Sequence, residues 1–206
     1  MTLEHKIKAM RAIITALGDA ARDLENDIVM PALPRLLFGS PVTGQISTTP
    51  NPFGLDWFDA TGYCMYYTAS GSPSYHTGCD LNRPNYQDSG APVYVAADGI
   101  VKLCGQVQGW QGDVVIVEHR LEDGSHVWTR YAHIKQLAAY NDIVRRGQQI
   151  GTIADYNKDG PKSDHLHFDV ALIDLSVKPI DWPGLDKMRL TNSYANPEAW
   201  LKARAA

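Results

Sequence analysis

Between residues 93 and 172 the chain alternates short apolar runs with clusters of turn residues, and that rhythm limits the folds open to it. The runs are Val93–Ala97, Ile100–Cys104, Val114–His119, His126–His133, Ile150–Ala154 and His165–Leu172. Each reads as a strand. Asp98-Gly99 and Glu122-Asp123-Gly124-Ser125 between them read as hairpin-type turns. Strands at this spacing predict an antiparallel core, as a sheet or sandwich-like pair of sheets.

The two ends read differently. Leu3, Ile7, Met10, Ile14, Leu17, Ala21, Leu24 and Ile28 form a heptad-type apolar stripe, which Pro31 and Pro34 bring to a stop. This predicts an N-terminal amphipathic helix over residues 1–31. Its plain reading is packing on its own domain; the sharper one is a surface for self-association or a partner helix. At the other end, Asn196 can cap and Pro197 can begin a short C-terminal helix. The expected organisation is the helix, a linker over 32–41 and a mainly β domain over 42–206.

Composition excludes several function classes. At 44% apolar and 20% charged, 206 residues can bury a sizeable core. A formal charge of −4 provides no electrostatic footprint for nucleic acid. No run approaches the ~18 apolar residues of a membrane span. Lys6, Lys8 and Arg11 precede an apolar run that is short and soon followed by Asp19, so no clear signal peptide is expected. Cys64, Cys79 and Cys104 lack metal-ligand spacing. Cys79 is expected in the core, and a bridge from it to either of the others is left open.

The histidines carry the chemistry. On a strand, His165 and His167 face one side, roughly 6.6 Å apart, while Leu166 and Phe168 face the other. His76 and Asp80 are four apart, roughly 13 Å in a straight strand, and Gly78 between them allows a bend. His133 ends another strand-like run. With His76, Asp80 and His167 as ligands, His133 and His165 remain as unligated imidazoles. Three protein ligands leave a fourth tetrahedral position open, as in catalytic zinc sites. His119 reads as structural. Asp155, Asn157 and Asp159 match the opening of a calcium loop, yet Leu166 stands where a bidentate Glu belongs. A polar turn is the first reading there and a weak calcium site the second.

His76-x-x-x-Asp80, Tyr131-Ala132-His133-Ile134 and His165-x-His167 occur in an order and setting that resemble the lysostaphin-type, LytM-like zinc endopeptidases. Ala91–Val101, Gly112–His119 and Arg146–Gly151 extend the likeness, which covers about residues 42–172. Ser163-Asp164 departs from the Gly-Pro usual before His-x-His in that family. The resemblance implies a LytM-type peptidase core and one zinc ion on His76, Asp80 and His167. It implies His133 and His165 as the catalytic pair, and peptide bonds of bacterial peptidoglycan as substrate. That substrate would place the protein outside the cell, in the periplasm or at the cell wall. The alternative is an inert LytM-like module that binds wall or activates another hydrolase. Aromatics at Phe53, Trp57, Phe58, Tyr63, Tyr66 and Tyr67 are expected to line a groove or to pad the core.

Overall fold

The computed structural model describes residues 10, 34–68, 72–84, 88–155 and 164–205. The chain divides into two compact units, Met1–Pro34 and Arg35–Ala206. The helix expected over 1–31 falls, Met10 apart, outside the described residues, as do Asn157 and Asp159.

The second unit is mainly antiparallel β. Its strands are β1 (Phe58–Thr61), β2 (Tyr66–Tyr67), β3 (Ser74–Tyr75), β4 (Cys79–Asn82), β5 (Pro92–Tyr94) and β6 (Gly99–Gln106). There follow β7 (Asp113–Arg120), β8 (His126–Gln136), β9 (Ile143–Val144), β10 (Gln149–Ile153), β11 (Leu166–Ala171) and β12 (Tyr194–Ala195). Helices α1 (Lys187–Ser193) and α2 (Pro197–Ala203) flank β12. All six expected strands are present. The short strands β1, β2, β3, β4, β9 and β12 and the helix α1 were not anticipated. In α2, Asn196 accepts a hydrogen bond from the Ala199 amide, and Pro197 opens the helix as the sequence predicts.

The main sheet runs β1-β4-β11-β8-β7-β6-β9 with β10, β5 and β12 branching from it, and β2 and β3 form a separate two-stranded sheet. The long β8 makes the branch through β10 possible by belonging to two ladders. Its residues 128–132 pair with β11, and Ile134–Gln136 pair with β10, which in turn pairs with β5. At the changeover His133 is an extra residue opposite β7: Val114 faces Ala132 and Asp113 faces Ile134. His133 takes a positive φ of 63°, rare for a side chain of its kind. This is a β-bulge, which bends a strand and re-aims a side chain.

Alternation then divides the sheet's two faces. Val115, Val117, Tyr131, Leu166, Phe168 and Val170 point into the larger core, with Phe38, Val93 and Ile150. Val114, Ile116, Ala132 and Ala171 belong to a smaller cluster on the other face, with Leu190 and Tyr194. Phe38, within the stretch read as a linker, is 1% exposed. Of the lead-in aromatics, Phe53 and Trp57 are core, whereas Phe58 and Tyr66 are exposed. Cys79 is buried in the larger core as expected, and all three cysteines are free thiols.

Candidate metal centre

β11 positions the centre by its two-residue period. With Leu166, Phe168 and Val170 in the core, His167 and Asp169 must face the other side. On one flank, Asp80 of β4 stands opposite His167. On the other, Ala132 and Arg130 of β8 stand opposite His167 and Asp169. His76 arrives from the short connection between β3 and β4. Gly78 in that connection serves a different end from the bend the sequence suggested. It is not among the glycines with positive φ, but a Cβ there would lie 2.2 Å from the Phe168 carbonyl oxygen. Only glycine lets the connection press this closely against β11, and that brings His76 beside His167.

Three atoms meet as a result. His76 Nε2, Asp80 Oδ1 and His167 Nδ1 are each 3.1 Å from the other two. All three residues are buried. Four ligands at ~2.0–2.1 Å around a tetrahedral zinc ion lie roughly 3.3 Å from one another, so this triangle has the right size. Its outer partners fix which atoms carry protons. The Gly62 carbonyl lies 3.3 Å from His76 Nδ1 and can only accept, so Nδ1 is the donor and Nε2 presents a lone pair. His167 Nε2 donates to Asp169 Oδ2 at 3.1 Å, leaving the Nδ1 lone pair turned inward. Asp169 also accepts from the Thr77 hydroxyl at 2.9 Å and is ion-paired with Arg130. Two imidazole lone pairs and a carboxylate oxygen thus converge on one point, an arrangement that repels itself until a cation enters.

The electrostatics agree. Burial opposes charge on His167, but hydrogen bonds to Asp169 and Asp80 outweigh it and raise its pKa. Burial likewise opposes charge on Asp80, and contacts with His167 and His76 hold its carboxyl well below the usual range. Asp169 is brought down to about 2: burial works against ionisation, and the Arg130 charge and the His167 bond prevail. A field that favours a proton among these atoms favours a metal cation there. Among the described residues, His76, Asp80 and His167 are the group able to hold a metal, and calcium at Asp155 finds no support.

His133 and His165 stand beside the triangle. His165 Nε2 is 3.5 Å from Asp80 Oδ1, and the two imidazole centroids are 4.7 Å apart. The bulge turns His133 out of the strand's alternation so that its Nδ1 meets the Gln111 carbonyl at 2.8 Å. That bond puts the proton on Nδ1 and the lone pair on Nε2. Burial, with the neighbouring His165 and His167, pushes the His133 pKa down to about 3. The five residues singled out from the sequence therefore lie together.

Other members of the site were missed. Trp110 packs 4.9 Å from His167 and 5.3 Å from His133, centroid to centroid. Trp182 stacks on Tyr67 at 5.8 Å and on Trp110 at 5.7 Å, walling His76 and His167. No spacing rule links tryptophans 72 positions apart, so their pairing left no local signal. Asp169 did leave one: it continues the His165, His167 alternation on the same strand face. His119, as expected, lies apart from the centre, bonded to the Asp98 carbonyl and the Thr129 hydroxyl.

Comparison with known proteins follows the same lines. The model of Peptidase family M23 matches residues 74–179. Lipoprotein NlpD of Yersinia enterocolitica is 28% identical over 92 residues, 44% of this chain and 88% of that protein. The antimicrobial peptidase lysostaphin from Staphylococcus simulans shares the fold with a TM-score of 0.54 at 19% identity. That match covers 84% of this chain and 56% of lysostaphin, so the chain spans little more than half of it. A structure of the SpoIIQ-SpoIIIAH pore-forming complex matches with a TM-score of 0.52 at 18% identity, over 80% of this chain and 90% of that one.

Proposed function

This chain belongs to peptidase family M23, and on that premise we propose that it is a zinc-dependent endopeptidase that hydrolyses peptide bonds in bacterial peptidoglycan, in stem peptides or cross-bridges. The observation that carries the reading is the triangle of His76, Asp80 and His167, three donor atoms 3.1 Å apart with their lone pairs turned inward. These residues would hold the metal. The chemistry a zinc ion supplies in such a site is Lewis acidity toward a carbonyl oxygen and a water molecule.

The remaining work falls to the chain. One of His133 and His165 takes the proton of the attacking water, and the other steadies the developing charge or protonates the leaving amine. Neutral His133, its Nδ1 proton tied to the Gln111 carbonyl, presents the Nε2 lone pair that an acceptor needs. Tyr67, Trp110 and Trp182 exclude water and give an extended peptide flat surfaces to lie against. The peptidase domain, expected over residues 42–206, is taken to begin earlier, at Arg35, because Phe38 belongs to its core. A cell-envelope location follows from the substrate and accords with the likeness to a lipoprotein.

Two measurements on the purified protein test this: zinc content, and loss of turbidity of a peptidoglycan suspension followed by cleavage of defined muropeptides. One zinc per chain with cleavage is expected. One zinc with no cleavage would favour the wall-binding or hydrolase-activating module. No zinc at all would remove the reading.

A further inference from the structure

Arg130 is fully buried, and in the metal centre it figures only as the counter-charge of Asp169. One end of its guanidinium, Nη2, pairs with Asp169 Oδ2 and lies 3.2 Å from the Thr77 hydroxyl. The other end, Nη1, donates to the Pro179 carbonyl at 2.8 Å. Three aromatic rings surround it: Trp110 with its centroid 4.8 Å from the guanidinium carbon, Trp182 at 5.8 Å and Tyr194 at 6.0 Å.

We infer that Arg130 is a positioning residue that sets the metal ligand His167 and the Trp182 wall beside it in one operation. Toward the sheet, it fixes the carboxylate that orients His167. Toward the aromatic wall, it holds the chain at Pro179, three residues before Trp182. The inference rests on the metal-binding reading of His76, Asp80 and His167.

Stability alone does not account for such a residue. A buried ion pair loses hydration on both charges, and well-packed apolar substitutes often stabilise a protein as well or better. What an apolar side chain cannot do is make directed contacts in two directions. Lysine cannot do it either, since its single ammonium is a point charge, whereas arginine offers nitrogens at opposite ends of a rigid plane. The cross-strand register makes the arrangement specific, because Arg130 stands directly opposite Asp169. The outer partner of a metal-bound histidine is typically worth about 10–100-fold in metal affinity.

The test uses the full chain carrying Arg130→Lys. Zinc affinity, measured by chelator competition, should weaken by about 10–100-fold. The visible absorption band of the cobalt-substituted protein should shift as His167 turns. Amide hydrogen exchange across residues 176–183 should quicken in the same variant. Asp169→Asn supplies the contrast: weaker zinc binding, with exchange across 176–183 unchanged. If Arg130→Lys does not fold, Arg130→Met, which leaves an apolar chain of similar length, is read in the same way. Unchanged zinc affinity and cobalt spectrum would overturn the proposal, as would weakened zinc binding with exchange at 176–183 unaltered. Equal quickening there in Asp169→Asn would reduce Arg130 to general support and overturn it too. A wild-type chain that takes up no zinc would instead sink the metal reading itself, so the two failures are told apart.

Discussion

The two faces of β11 are equally inaccessible to water and are held together by opposite means. Leu166, Phe168 and Val170 lie on one side, fully buried among aliphatic and aromatic neighbours. His167 and Asp169 lie on the other, buried among charges and hydrogen-bonding groups. The apolar face is stabilised by area removed from water, which requires shape but no partner. The polar face has surrendered hydration, so each group on it needs a specific counterpart. Asp169 has Arg130 and Thr77, and His167 has Asp169. The three inward lone pairs of His76, Asp80 and His167 form a group that could take a metal cation as counterpart. The comparison teaches that burial alone does not distinguish a core from a reaction centre; what distinguishes them is whether the buried atoms complete one another.

The largest expected effect separates the faces by adjacent residues. Phe168→Ala should cost about 3–5 kcal/mol of stability in urea unfolding while one zinc per chain is retained. His167→Ala should abolish zinc uptake measured by metal analysis. A folded Phe168→Ala protein without zinc would show that the faces are not independent.

Acid should act on the two faces in opposite senses. His119, on the apolar side, is pushed down to about 4 by burial. Below pH 6.5 the unfolded chain takes up this proton and the folded chain does not, so stability falls with pH down to about 4, by up to about 3 kcal/mol. His167 has its pKa raised. Its contribution is therefore present in full below the unfolded value and is lost as pH rises through the folded one. In metal-free protein the His167 gain comes as pH falls toward 6.5 and the His119 loss comes below it, so acidification first raises and then lowers stability. With zinc bound, His167 cannot accept the proton, and stability should fall more steeply between pH 6.5 and 4. Urea titrations at several pH values, with and without zinc, read the difference; parallel curves would contradict it.

Next in size, His165→Ala should retain zinc and lose about 100-fold or more in turnover of muropeptides. Full activity in that variant would remove His165 from the catalytic pair. Smallest is Asn196→Ala, which removes the cap of the helix that seats Leu201 in the apolar core. About 1 kcal/mol should be lost in urea unfolding, with zinc affinity unaltered.

Much of this division was legible in the sequence. A period of two gives the apolar face of β11 and puts both histidines opposite it. Short motifs with distinctive spacing gave all five residues at the centre. What stayed hidden depends on which strands become neighbours. The pairing of Arg130 with Asp169 requires β8 to lie beside β11 in one particular register, and no local pattern states that register. The Trp110–Trp182 stack joins two loops for the same reason. Gly78 shows a subtler limit: its identity pointed to unusual backbone angles, whereas the actual constraint is a carbonyl oxygen of another strand. In β4, all four residues are buried and polar Asp80 and Asn82 alternate with apolar ones, a pattern too short to read unaided.

The bulge at His133 bears on how this residue should be probed. It is at once a proposed proton-handling group and the point at which one strand passes from a first ladder to a second. Alanine at a φ of 63° carries a backbone penalty that asparagine or glycine largely escapes. An alanine scan would therefore merge a chemical defect with a mechanical one. Asparagine at this position deletes the imidazole while leaving the joint able to turn.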